Sequence, residues 1–391
     1  MKNTLSVRLN SEQLETRETP AAASIFAVGS GSGGPPRLQI FNVTTGVKVA
    51  DFLAFENSFT GGVNAAIGDV TGDNVADVIV GAGVGGGPRV RVFDGRAFAP
   101  GFGFPTAPLD GAGAVPDAIV VADFFAFEST QRGGTNVAAG NFAGAGNAEL
   151  VIGAGPGGGP RIRILDGAAV TFQGRNFTSD REGDTVANFF AFEPSFRNGV
   201  SVAASPTPFG GLEFSNLVVA PGFGGGPRVR VLSGAQIAQR GLQYTSFDPN
   251  QTIADFFAFD PSIRSGLSVA AADFNRDGFV DLAVGTGRGV TGAFTVYSGA
   301  SVLAGNFSGN RAGDILTQEF ISNYSNGVSV GAAIIPNGVN NGLLIVGTGG
   351  QGLFGQAEVS QFLFGAGFLQ RQVVYNLLFD PNFRGGVFVS Q

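Results

Sequence analysis

The stretch DFNRDGFVD, Asp273 to Asp281, holds the residue pattern best suited to chemistry. Asp273, Asn275 and Asp277 stand at alternate positions, Gly278 permits a sharp turn, Phe279 offers its backbone carbonyl, and Asp281 follows two residues later. Hard oxygen donors at this spacing wrap a Ca²⁺ ion within one short loop. DVTGDNVAD is a weaker version, with Asp69, Thr71, Asp73, the Val75 carbonyl and Asp77 as donors and Asn74 where glycine would be preferred. Asn tolerates the left-handed backbone, so this loop stays a candidate. The corresponding stretches 141–149, 205–216 and 335–342 have lost most donors. Asp-rich turns also form without metal, because Asp and Asn side chains cap turns by themselves. An ion held by one local loop would be structural rather than catalytic.

Arginines form the second pattern. Arg37, Arg89, Arg161 and Arg228 each follow a Pro in a Gly-rich string, and Arg132, Arg197, Arg264 and Arg384 fall in the turn after a Phe-rich string. Successive glycine N–H groups can form an anion-binding nest, and a ring of arginines over such loops would suit sulfate, phosphate or an acidic glycan. Glu56, Glu128, Glu193, Asp260 and Asp380 end the Phe-rich strings nearby. Arg–carboxylate pairs that stitch strands or neighbouring repeats are therefore the stronger reading, since a repeated motif usually serves the repeat.

Composition closes off much else. The 391 residues include no His and no Cys, which excludes a Ser-His-Asp triad, a Cys nucleophile, a thiolate or imidazole zinc site and disulfides. The net charge of −7 opposes non-specific binding to nucleic acid or anionic membranes. No stretch approaches the roughly 20 apolar residues of a spanning helix, and residues 1–20 lack the apolar segment of a secretory signal. Trp is absent and Tyr is scarce, which weakens a sugar-stacking site.

These residues are carried by two alternating strings. GAGVGGGPRVRVFDG (Gly81 to Gly95) recurs at Gly29, Gly153 and Ala220 and, more faintly, at Gly285 and Gly347; DFFAFEST-like strings recur between its copies. Phe55, Phe127, Phe192, Phe259, Phe320 and Phe379 mark the second string at spacings of 72, 65, 67, 61 and 59 residues. Each unit reads as four short strands of period-2 alternation, punctuated by Gly and Pro and without helical periodicity. Four-stranded units repeated this way predict an all-β, six-bladed β-propeller. The chain opens at Ser24 with second-strand material and ends at GVFVSQ with first-strand material, so residues 386–391 and 24–56 together predict one blade shared by both termini. We expect a flexible tail over residues 1–22 and a single propeller over 23–391. The pairs Phe125/Phe127, Phe190/Phe192 and Phe257/Phe259 are expected to face one side of each blade and fill the core between blades.

SVAAADFNRDGFVDLAVG, followed by a Gly-rich hairpin and VYSG, resembles the FG-GAP and VCBS repeats of integrin-alpha-like β-propellers. The GGGPRVRVFDG and FFAFEPSFRGG strings are similar to propeller proteins of planctomycete-type bacteria, and LETRETPA (Leu14 to Ala21) to a short N-terminal export tag of such proteins. Integrin heads have seven blades against the six counted here. The resemblance implies a non-catalytic, Ca²⁺-stabilised scaffold that binds a protein or glycan outside the cell or at its surface. The variable segments 96–121 and 168–186 are candidate binding loops. The alternatives are a structural cell-envelope component and a Ca²⁺-dependent carbohydrate-active enzyme using carboxylates around the channel.

Overall fold

The computed structural model describes residues 25–389 apart from 100–115, 145, 180, 206–213, 306, 312, 322–326, 335–341, 349–357, 366–367 and 377–386. Six four-stranded antiparallel sheets form the blades of a propeller. Their innermost strands are Val387–Val389 (blade I), Val63–Gly68 (II), Thr135–Gly140 (III), Val200–Ala204 (IV), Leu267–Ala272 (V) and Val328–Ile334 (VI), and each contacts the next around the ring. In blade I the strand Val387–Val389 pairs with Ile25–Ser30, with Val28 opposite Val389.

The second strands of blades I to V are buried along their whole length, and that of blade VI up to Gly347. Alternation sends their side chains to opposite faces, where both faces meet a neighbour: Val78 and Val80 pack toward blade I, and Ile79 toward blade III. Six apolar clusters result, one at each interface between adjacent blades. Third and fourth strands share a register shift near the same point in all six sheets, between Val92 and Phe93 in blade II for example. Such bulges bend the strand end and raise its twist.

Helices were not expected, yet among the described residues three short ones follow third strands: α1 (Gly167–Gln173), α2 (Gly234–Arg240) and α3 (Gly299–Leu303). The side chains of Asp166, Ser233 and Ser298 accept N–H bonds from Ala169, Gln236 and Ser301, so the Asp-Gly or Ser-Gly ending the first string is a helix start. Too short for a periodic signal, these helices escape sequence reading.

The Phe pairs need correction. Phe124, Phe127, Phe189, Phe192 and Phe256 are buried, but Phe125, Phe190 and Phe257 are 49, 39 and 48 % exposed. The fourth strand ends at Phe125 in blade II, at Phe190 in blade III and at Phe257 in blade IV. Beyond those residues the chain turns, and two-residue alternation no longer relates the members of a pair.

Candidate functional site

The Asp loops join first to second strands at one end of the propeller. In the Asp273 loop, left-handed φ angles of 67° at Arg276 and 88° at Gly278 turn backbone N–H groups inward. Asp273 accepts from the N–H groups of Arg276, Asp277 and Gly278 at 2.7, 3.1 and 3.0 Å. Asn275 accepts from Asp277 N at 3.0 Å, and Asp277 from Phe279 N at 2.9 Å and from the Asn275 amide at 2.9 Å. Asp281 is fully buried and joins the loop to helix α3, accepting from Phe274 N, Asn275 N and Gly299 N at 2.9, 3.1 and 2.9 Å. Burial pushes the Asp281 carboxyl up to about 7, and burial with the nearby Asp277 charge raises Asp273. Among the described ion pairs none reaches Asp273, Asp277 or Asp281.

The Asp69 loop has the same frame with one difference. Asp69 accepts from the N–H groups of Gly72, Asp73 and Asn74, with Asn74 at φ 65°, and Asp77 accepts from Val70, Thr71 and Gly95. Here Arg96, next to the Gly95 donor, places Nε 3.1 Å from Asp73 and Nη2 2.5 Å from Asp94. The Asp273 loop has Ala300 at that position. In the Asp273 loop no described ion pair engages the oxygen donors, whereas in the Asp69 loop the Arg96 guanidinium already lies against Asp73. Glu149 and Asn216 stand where Asp77 and Asp281 do: Glu149 accepts from Phe142 N and Ala143 N, and Asn216 from Gly234 N. The position after the loop is therefore a staple of the blade, which accounts for its acidic or amide character independently of metal.

At the opposite end the repeated arginines meet carboxylates. Arg37 pairs with Asp51 at 2.5 Å, Arg89 with Asp123 at 2.7 Å and with Glu56 of the preceding blade at 2.8 Å. Arg161 reaches Glu128 at 2.7 Å, and Arg228 reaches Asp255 at 2.7 Å and Glu193 at 3.2 Å. Burial alone would raise Asp123, but hydrogen bonds from Arg89 and Arg91 hold it below the usual carboxylate range. Arg132, Arg197 and Arg264 donate to carbonyls of their own turns, those of Ser129, Pro194 and Pro261 among them. Arg384 lies outside the described residues. The sequence reading missed the second arginine of each string. Arg91, Arg163 and Arg230 donate to the carbonyls of Ala54, Ala126 and Ala191 at 2.8, 2.8 and 2.7 Å, each in the preceding blade. In blade V the Tyr297 hydroxyl does the same to Ala258 at 2.7 Å.

The Gly-rich loops surround the channel mouth at this end. The N–H groups of Gly33, Gly85, Gly157 and Gly224 donate to Thr60, Arg132, Arg197 and Arg264 carbonyls at 2.8, 2.7, 2.6 and 2.8 Å. They lock each loop to the next blade rather than converging on open space. Inside the mouth, Asn64 and Asn136 donate to Thr135 O and Val200 O, each at 2.8 Å, and Ser201 and Ser268 to Leu267 O and Val328 O at 2.6 and 2.7 Å. Polar groups lining the channel thus also stitch blades. They enclose, with the loop tips, a cavity of about 440 Å³.

Fold and loops together define a six-bladed β-propeller whose fifth blade has the form of an FG-GAP unit. Residues 265–299, from the blade V first strand through the Asp273 loop to the start of α3, match the FG-GAP repeat. No curated protein matches the sequence. Among solved structures, the Dos1 propeller is similar at 11 % identity and a TM-score of 0.37, over 83 % of this chain and 61 % of that one. Citrobacter koseri AztD is similar at 8 % identity and a TM-score of 0.36, over 94 % of this chain and 98 % of AztD. A Bacteroides fragilis protein named as a candidate 6-phosphogluconolactonase gives 12 % identity and a TM-score of 0.41, over 95 and 99 % of the two chains. Scores this low carry nothing about function. No helix among the described residues is long and apolar enough to cross a membrane.

Proposed function

We propose that this protein is a non-catalytic binding scaffold, acting outside the cell or at its surface, with Ca²⁺ held in the Asp273 loop as a structural ion. Asp273, Asn275 and Asp277 would supply side-chain oxygens and Phe279 its carbonyl, and the bound ion would neutralise the crowded carboxylates and stiffen the loop. The observation that carries the scaffold reading is at the Gly-rich mouth. The repeated charges there are engaged with carboxylates or with backbone carbonyls, while one position per loop differs in the five described loops: Ser32, Val84, Pro156, Phe223 and Arg288. A position that varies while its surroundings repeat differs in what it offers from blade to blade, as a recognition surface requires. The partner is a protein or glycan.

Surface-binding measurements on a glycan array and on envelope-protein fractions test this, with a variant carrying Ser at positions 84, 156, 223 and 288 run in parallel. Saturable binding that the variant loses is the expected result. Binding that the variant keeps, ordered self-assembly with no soluble partner, or turnover of a glycan would each overturn it.

A further inference from the structure

Hydrogen-bonding capacity in the cavity at the Gly-rich mouth is spent unevenly. Its inner ring carries one polar side chain per blade, at the second position of the first strand: Asn64, Asn136, Ser201 and Ser268 in blades II to V. Each gives a donor to a backbone carbonyl of the next blade, Asn64 Nδ2 to Thr135, Asn136 Nδ2 to Val200, Ser201 Oγ to Leu267 and Ser268 Oγ to Val328. Their acceptor sides are left over. No described hydrogen bond is accepted by Asn64 Oδ1, Asn136 Oδ1 or Ser201 Oγ, whereas Ser268 Oγ already accepts from Val330 N at 3.2 Å. The three residues are half-buried and line the cavity, so these oxygens face open space rather than packed protein.

The wall repeats this pattern in its backbone. Gly83, Gly155, Gly222 and Gly287, one in each of the same blades, donate their N–H groups to the carbonyls of Gly62, Gly134, Gly199 and Gly266 at 2.9 to 3.0 Å. Donors stand at the rim instead: Ser32 and Asn198 are exposed, line the cavity, and have no described hydrogen bond from their side chains. The groups left over carry no charge. Among the described lining residues there is no Asp or Glu, and the one charged side chain, Arg288, is engaged in an interaction of its own.

We propose that this cavity binds a neutral sugar ring, a hexopyranose unit of an uncharged glycan, whose hydroxyls donate to Asn64 Oδ1, Asn136 Oδ1 and Ser201 Oγ and accept from Ser32 and Asn198 at the rim. A hydroxyl both donates and accepts, which suits an inner ring of acceptors beneath a rim of donors. An ammonium would serve the inner ring alone and a carboxylate the rim alone. Hydroxyls radiate from the edge of a pyranose as the acceptors of successive blades surround the channel, and recognition at the edge needs no Trp platform. The volume of about 440 Å³ lies within the usual range for small-molecule sites. The inter-blade bonds already fix the inner ring, so little side-chain ordering accompanies binding. The inference rests on the scaffold reading and selects a neutral glycan as its partner.

Calorimetric titration of the full chain with the methyl glycosides of glucose, galactose and mannose tests it, against their per-O-methylated forms, glucuronate and glucosamine. At least one neutral glycoside should bind saturably, and its per-O-methylated form, which has no donor, should not. Glucuronate and glucosamine should bind no more tightly than the neutral glycoside. Asn64→Ser and Asn136→Ser keep the stitch that Ser201 and Ser268 make in their own blades while withdrawing the amide oxygen. Each should weaken the glycoside about two- to tenfold, the loss expected of one neutral hydrogen bond, at an unchanged melting temperature. Absence of saturable binding by all three glycosides, binding that survives methylation, tighter binding of a charged analogue, or indifference to both Asn variants overturns the proposal. Macromolecules captured through positions 84, 156, 223 and 288 while the glycosides fail would remove this ligand class and leave the scaffold reading standing; failure of both removes both.

Discussion

Arg96 and Ala300 occupy the same place in two blades, one residue after the N–H that binds the staple carboxylate. The guanidinium sets a positive charge against Asp73 of the Asp69 loop; the Ala300 methyl group offers the Asp273 loop no counterpart. Calorimetry with Ca²⁺ after chelation should therefore find one site, abolished by Asp273→Asn with no second site remaining. Arg96→Ala should add a weaker second site at Asp69, and two sites in the unaltered chain would refute the distinction. Glu149 supports a second expectation at this scale. It is 1 % exposed, and burial pushes its carboxyl up from 4.5 to about 7. The folded state then holds a proton that the unfolded state has lost, so this group's contribution is fully present below about 4.5 and is lost as pH rises to about 7. Glu149→Gln keeps an oxygen for the Phe142 and Ala143 N–H groups, as the amide of Asn216 does for Gly234. The variant should gain stability relative to wild type at pH 8 and little at pH 4, which thermal melts at the two values measure.

At the scale of elements, sheets are held by close backbone approach within a blade and by side chains that cross to the next one. A Cβ at position 155 would sit 2.0 Å from the carbonyl oxygen of Gly133, just before the first strand of the same blade. Gly155→Ala must push these backbones apart, and denaturant titration should show a loss of about 2–4 kcal/mol. Arg230 is 5 % exposed and bonds Ala191 O and the Ser246 hydroxyl. Arg230→Ala strands those partners, with an expected cost of about 2–4 kcal/mol; a loss below about 0.5 kcal/mol would mean the stitch contributes little. The Asp-Gly and Ser-Gly endings of the first string stand in the sequence, but the short helices that they start were not legible there. Five to seven residues give no helical period, and their caps are recognised only once the chain direction is known.

For the molecule as a whole, ring closure depends on Val387–Val389 lying against Ile25–Ser30. Deletion of residues 386–391 would expose the edge of the Ile25–Ser30 strand at the channel and uncover Ala333, Leu343 and Phe26, which Val387 and Val389 help to bury. The truncated chain should melt at least about 10 °C lower and associate through the open edge, as light scattering would show. An unchanged melting temperature with a monomeric mass would argue that the remaining contacts suffice.

Strand number, blade number and the two Asp loops were legible in the sequence because each depends on neighbours within a few residues: alternation, Gly and Pro punctuation, and ligand spacing. The partners of those residues were not. Asn64 meets Thr135 across 71 positions and Arg91 meets Ala54 across 37, while Val84, Pro156, Phe223 and Arg288 come together around one mouth from four different blades. In a propeller every blade packs on sheets distant in sequence, so the chain by itself determined what each blade is made of. Only the closed ring decided which side chains are consumed in holding blades together and which are left facing the channel.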